Sequence, residues 1–158
     1  MEIITYPNEI LKTQCQAVKL PLSKEDKDTL TNMFHYLKED TNNGIGLAAP
    51  QIGIAKALIA IRIKTSDGKV FALKLANPKV LKIGTATYVV KDGEKCLSEP
   101  DLEPVLVKRS KVILLTGYDD LTGKNISLKL TGFVAAVVQH EYDHLSGILL
   151  HDYIDTKD

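Results

Sequence analysis

The hydrophobic period changes several times along the chain. Leu30, Met33, Phe34 and Leu37 recur at i, i+3, i+4 and i+7 behind Ser23. That spacing predicts an amphipathic helix beginning at Ser23 and stopping near Thr41-Asn42-Asn43-Gly44. His35 falls off the stripe and is expected in solvent. From 56 to 92 the pattern becomes that of strands. Ala57 to Ile61 is a buried-type run, Arg62-Ile63-Lys64 alternates, and Ser66-Asp67-Gly68-Lys69 turns the chain into Val70 to Ala76. Asn77-Pro78 predicts a break before Lys79 to Ile83, and Tyr88-Val89-Val90 is a further extended piece. Val112 to Tyr118 and Asn125 to Leu130 flank the turn Asp119 to Lys124. Phe133 to Val138 is then apolar almost all round, as a buried helix is. Thr131 as N-cap and Gly147 as stop give that helix a span of 132–146. Ahead of all this, residues 1–20 read as an extended arm broken at Pro7-Asn8 and anchored by Ile10, Leu11 and Val18. The sum is α+β: antiparallel β-sheets wrapped around a central helix, with one further N-terminal helix, in a single domain over 1–158.

Composition removes several classes of function. The 158 residues are 44% hydrophobic and 25% charged, ordinary for a soluble globular protein. Lys plus Arg and Asp plus Glu each number 20, so the net charge is zero and no basic stripe suggests nucleic acid. No stretch approaches the ~20 apolar residues of a membrane span. The start, Met-Glu-Ile-Ile-Thr-Tyr-Pro, lacks the basic and long apolar regions of a signal peptide. Two cysteines, Cys15 and Cys96, make no disulfide framework, so a reducing, cytosol-like compartment is expected. Cys15, with polar sequence neighbours, reads as an ordinary free thiol.

The chemistry concentrates where the apolar helix turns polar. His140-Glu141-Tyr142-Asp143-His144 is His-Glu-x-x-His, and residues four apart share one helix face, so His140 and His144 can hold one metal ion together. Glu141 then lies beside a water on that ion. Two histidines at this spacing also arise by chance. Burying these groups without partners, however, would cost several kcal/mol, on the order of the penalty for unpaired polar and ionic groups. A catalytic metal usually takes three protein ligands and keeps one position for water. Residues 145–158 offer no glutamate, and His151 lies one position beyond the histidine of a longer His-Glu-x-x-His-x-x-Gly-x-x-His pattern, so it is expected at the surface. The third ligand should come from upstream. Cys96 is the candidate, since a thiolate with two histidines leaves a tetrahedral site one position open. Its alternative is a small buried core residue. In the loop Gly44 to Gly53, Gln51 is either a positioned amide donor or a plain loop amide.

Gly44-Ile45-Gly46-Leu47-Ala48-Ala49-Pro50-Gln51, Glu94-Lys95-Cys96-Leu97-Ser98 and Gln139-His140-Glu141-Tyr142-Asp143-His144-Leu145 together resemble the three signature motifs of the peptide deformylases, in order, across essentially the whole chain. The resemblance implies hydrolysis of the N-formyl group from the initiator formyl-methionine of nascent polypeptides. It implies that Cys96, His140 and His144 bind one divalent metal, ferrous iron in the cell, with zinc, nickel or cobalt able to occupy the same site. Water made nucleophilic there attacks the formyl carbon, Glu141 carries the proton, and the Gln51 amide with the Leu97 N–H receives the oxyanion. Helical spacing puts Phe133, Ala136 and Val137 on the face of His140, Glu141 and His144, so with Ile45 they should wall an apolar pocket suited to methionine. Ile45 and Gly46 are expected to pair with the substrate backbone as an added strand. Arg109 is either a partner of Glu94 behind the site or a surface arginine, and Asp143 either supports a ligand or is solvated or caps the helix.

Two departures matter. The second motif normally reads Glu-Gly-Cys-Leu-Ser, and Lys95 stands at its glycine. Lysine there would strain the loop if the position needs φ > 0, or would line and narrow the cleft. The chain also stops soon after Tyr153, without the long C-terminal helix of many bacterial members, as bacteriophage-type short forms do. The expected partners are formyl-methionyl nascent chains, with room for a transient ribosome contact, in a bacterial cytosol or that of a phage-infected host.

Overall fold

In a computed structural model, residues 1–42 and 44–154 are described. Asn43, in the expected helix stop, and residues 155–158 of the expected domain lie outside them. Helix α1 (Lys24–Lys38) begins where Ser23 Oγ accepts from the Asp26 N–H at 3.1 Å. Strands β1 (Gly46–Ala48), β2 (Leu58–Lys64) and β3 (Val70–Lys82) follow. The short β4 (Thr87–Tyr88) and β5 (Arg109–Ser110) pair with each other, and β6 (Val112–Asp119) and β7 (Lys124–Thr131) lead into α2 (Gly132–His144). The main sheet has the order β1-β2-β3-β6-β7, antiparallel throughout.

The sheet is covered on both faces, which explains why β2 reads as a continuous apolar run. Leu58 and Ala60 pack with Leu30, Met33, Phe34 and Leu37 of α1. Ile59, Ile61 and Ile63, on the opposite side of the pleat, pack with Ala135 and Val138 of α2. On its far side α2 meets β4 and β5, and Cys96, Val105, Val107 and Leu150 form a small core there. The central helix is therefore enclosed, and His35 of α1 is exposed.

Three expectations change. The break at Asn77-Pro78 is a bulge inside one long β3, with the register to β6 shifting between Ala76 and Lys79 and Asn77 at φ +53°. Proline removes one ladder donor, and the extra length absorbs the gap without ending the strand. Val89 and Val90 do not continue β4. The buried helix ends at His144, two residues early, because the chain turns at Leu145 and passes through Gly147 at φ +73°. Cys15 is a free thiol as expected, although it is 9% exposed and belongs to the main core, and burial pushes its thiol up to about 11.

The N-terminal arm ties distant loops together through main-chain bonds. The Ile4 N–H donates to the Gln51 carbonyl (2.7 Å), Tyr6 to Ser98 (2.8 Å) and Cys15 to Leu145 (2.9 Å). Gly147 lies directly under this arm, and a Cβ there would sit 2.5 Å from the Lys12 carbonyl oxygen. Gly147→Ala should therefore lower the unfolding free energy by roughly 2 kcal/mol or more, strain and clash together. Urea unfolding of the two proteins at matched metal content measures it, and a difference below about 0.5 kcal/mol would refute this tight packing.

Candidate active site

Three segments deliver the site. Helix α2 brings His140, Glu141 and His144, the turn after β1 brings Gln51, and the extended segment before β5 brings Cys96 and Leu97. The candidate ligand atoms of Cys96, His140 and His144 all lie within 4.8 Å of one another, and Cys96 Sγ is 3.4 Å from His144 Nε2. The upstream cysteine is thus brought onto the two helix histidines. The fit of a metal is read from the donors themselves. Burial, then the charges of His140 and Arg109, pull His144 down to about 3, which makes it a neutral imidazole with a free lone pair. Burial opposes charge on His140. The Glu141 carboxylate and hydrogen bonds to Cys96 and Glu94 more than offset it and hold a proton on His140 well above the usual histidine range. Surroundings that favour a proton at that point favour any cation there.

His140 is oriented from behind. Its Nδ1 lies 2.9 Å from Glu94 Oε1, so Nδ1–H donates and Nε2 faces the cluster. Glu94 in turn accepts from Arg109 Nε (2.9 Å) and NH2 (2.8 Å). Burial would raise Glu94, but the hydrogen bonds of His140 and Arg109 and the charge of Arg109 hold it below the usual carboxylate range. Arg109 also donates through NH1 to Asp143 Oδ2 (2.7 Å) and to Tyr153 Oη (3.1 Å), and Tyr153 O–H donates to Asp143 at 2.5 Å. Arg109 is therefore internal, and Asp143, partly buried, supports it from behind the site. Tyr153 escaped sequence reasoning, because its sequence neighbourhood carries no sign of what it meets.

Glu141 and Gln51 face the cluster from two sides. Glu141 is 5% exposed, and its Oε1 has no hydrogen-bond partner among the described residues. Burial pushes it up to about 7, against the pull of His140 and Arg109. A carboxyl group that exchanges its proton near neutrality suits proton transfer. Its carboxylate lies against the β1 backbone, and a Cβ on Gly46 would fall 2.5 Å from Glu141 Oε2. Gln51 is locked in one orientation. Its Oε1 accepts from the Ala48 N–H (2.9 Å), while Nε2 donates to Ser98 Oγ (3.1 Å) and points at Cys96 Sγ (3.8 Å).

A cleft of about 410 Å³ opens onto these groups. Ile45, Phe133, Ala136 and Val137 supply apolar wall, and Gly46, Lys95 and Leu97 also line it. Phe133 is 40% exposed and sits at the mouth. Lys95 does not have a left-handed backbone, since among the described non-glycine residues only Asn77 and Asp92 have positive φ. Lysine at this position therefore carries no left-handed strain. His151 is not a plain surface residue, since its Nδ1 pairs with Glu99 Oε2 at 2.7 Å and its ring packs against Tyr6.

A buried thiol and two histidines, faced by a carboxyl group and an oriented amide at the end of an apolar cleft, is the arrangement of a metal-dependent hydrolase. The profile of the polypeptide deformylase family matches residues 1–158. The chain is 38% identical over 164 residues to the peptide deformylase of Shouchella clausii strain KSM-K16, covering 98% of this chain and 89% of that one. It superposes on a probable peptide deformylase from Synechococcus phage S-SSM7 with a TM-score of 0.82 and 35% identity, over 97% of this chain and 99% of that one. It also matches the Met-Ala-Ser-bound class I type b enzyme of Acinetobacter baumannii, with a TM-score of 0.83 and 28% identity over 96% of both chains. The chain belongs to the peptide deformylase family and is an enzyme of that metal-dependent group.

Two outcomes follow from the geometry. Gly46→Ala should displace Glu141 and lower kcat at least about 10-fold with metal content intact, the scale of misplacing a general base; unchanged kcat in a metal-replete variant refutes the close approach. The second concerns the metal-free protein. Glu141 titrates near 7 when folded against an ordinary 4.5. Between those values the folded chain holds a proton that the unfolded chain has lost, so stability falls as pH rises through that window. Glu141→Gln should remove this slope and be roughly 1–3 kcal/mol more stable at pH 8 in chelator-treated urea unfolding. Parallel pH profiles for both proteins would contradict it.

Proposed function

We propose that the chain removes the N-formyl group from the initiator formyl-methionine of nascent polypeptides, in a single catalytic domain over 1–158. The observation that carries this reading is the convergence of the unpartnered Glu141 carboxyl oxygen and the locked Gln51 amide on the Cys96–His140–His144 cluster. Cys96, His140 and His144 hold one divalent ion, ferrous in the cell, with zinc, nickel or cobalt as substitutes. When bound, that ion supplies the Lewis acidity that lets a water lose its proton near neutral pH.

Each remaining role belongs to the chain. Glu141 takes the proton of the attacking water and hands it to the leaving amine. Gln51 Nε2 and the Leu97 N–H, which donates to no main-chain carbonyl among the described residues, receive the charge that develops on the formyl oxygen. Strand β1 is the edge of its sheet. The Ile45 carbonyl accepts from the Arg62 N–H at 2.9 Å, and the alternation of antiparallel pairing then turns the main-chain groups of Gly46 to the open edge. A peptide adds there as a strand, with its methionine side chain among Ile45, Phe133, Ala136 and Val137. The Acinetobacter enzyme that this chain resembles is one that binds Met-Ala-Ser, a peptide of this class. The setting we assign is the cytosol, with transient ribosome contact. No helix among the described residues is long and apolar enough to cross a membrane.

The test is formate release from formyl-Met-Ala-Ser by protein purified without oxygen and loaded with ferrous iron or nickel. Cys96→Ala should lose both metal and formate. Glu141→Gln should keep its metal and fall about 10²- to 10⁴-fold in kcat. Full activity in the metal-replete Glu141→Gln protein would sink the assigned proton transfer.

A further inference from the structure

Lys95 is the feature of the cleft that the reaction itself leaves unused. It sits in an extended stretch where Glu94 bridges Val105, and its neighbours Glu94 and Cys96 are buried while it is exposed. Alternation turns its side chain away from the buried core, and it lines the mouth of the reaction cleft. It makes no hydrogen bond or ion pair among the described residues. The other charged groups in that wall are engaged. Glu94 is held by Arg109 and His140, Glu99 by His151, and Glu141 is enclosed against Gly46. Asp101 and Glu103 are exposed nearby on the following loop but do not line the cleft. The mouth therefore presents one uncompensated cation.

We propose that Lys95 makes this enzyme select formyl-methionyl peptides whose next residue is acidic. The inference rests on the deformylase reading above and adds a substrate class to it. A formylated amine carries no charge, so the first charge a nascent chain brings to the cleft comes from a side chain. In an extended peptide paired along β1, the methionine side chain points into the pocket and the next side chain points the other way, toward the open side. The ammonium of Lys95, on a flexible four-carbon stem, is at that side to meet a carboxylate.

The experiment compares kcat/KM for formyl-Met-Glu-Ser and its neutral isostere formyl-Met-Gln-Ser, at low salt and in 0.5 M NaCl. It is run on wild type, Lys95→Gly and Lys95→Glu, all metal-loaded. Ratios within each protein cancel any general change in activity. In wild type the Glu peptide should be favoured about 2- to 5-fold at low salt, the range of a single exposed ion pair. The preference should shrink toward unity in high salt, where such charges are screened. It should vanish in Lys95→Gly and reverse in Lys95→Glu. Formate release from both peptides with a ratio near one, or a ratio unmoved by Lys95→Gly, overturns the inference and leaves the deformylase reading standing. No formate from either peptide overturns that reading and this inference with it.

Discussion

Everything at the site depends on how the buried charge of Arg109 is satisfied. It is 4% exposed and answers two carboxylates, Glu94 and Asp143, with Tyr153 bridging to the second. A buried ion pair adds little net stability, but leaving one member alone costs about 3–5 kcal/mol, so the members must arrive together. They come from the segment before β5, from β5 itself, from α2 and from the C-terminal turn. Folding cannot place His140 without also placing these. The cluster also carries more anions than cations until something positive sits at His140 and Cys96. Arg109 neutralises one carboxylate, and the other leaves an excess that favours a cation at the ligands. The geometry of the candidate metal site and its charge are therefore set by one network.

What the sequence disclosed follows from what is local. The helix, its two histidines and the glutamate between them sit within two turns, so their shared face is fixed by helical geometry alone. The double-sided burial of β2 was likewise visible, as an apolar run too short for a helix. Cys96 was reachable only because the missing third ligand demanded a soft upstream donor and because the motif around it is distinctive. The rest depends on meetings between distant segments. Cys15 has polar neighbours in sequence and core neighbours in space. His151 reads as a surplus surface histidine until Glu99 and Tyr6 appear beside it. The bulge at Asn77 looked like a strand break because Pro78 removes a donor whichever way the backbone goes, and only the continued pairing to β6 tells the two apart.

The N-terminal arm shows a different reason for illegibility. Its bonds to Gln51, Ser98 and Leu145 run from main chain to main chain, and each lands on the last residue of one of the three motif segments. Backbone groups are common to all residues, so such a tie leaves almost no trace in side-chain pattern. Yet the orientation of Gln51 depends on it. The amide is fixed by Ala48 and Ser98 through its side chain, and the main chain at Gln51 and Ser98 is held by the same arm.

The open edge of β1 connects substrate reading to proton transfer. An unpaired edge is ordinarily a liability that proteins keep short or cover. Here it is three residues long and faces a cleft walled by α2 and the Cys96 segment, and in the proposed function it takes one extended chain. Gly46 at that edge also lets the Glu141 carboxylate approach the backbone, where any side chain would displace it. The peptide's position is then set by hydrogen-bond register, and registers come in steps of about 3.3 Å, each step turning the side chains to the opposite face. A peptide displaced by one residue would lift its methionine out of the apolar pocket and move the scissile carbon off Glu141 and Gln51 together. In the proposed binding mode, pocket and edge enforce the same register, and chemistry at the end of a peptide would follow from that agreement, not from the ligands alone.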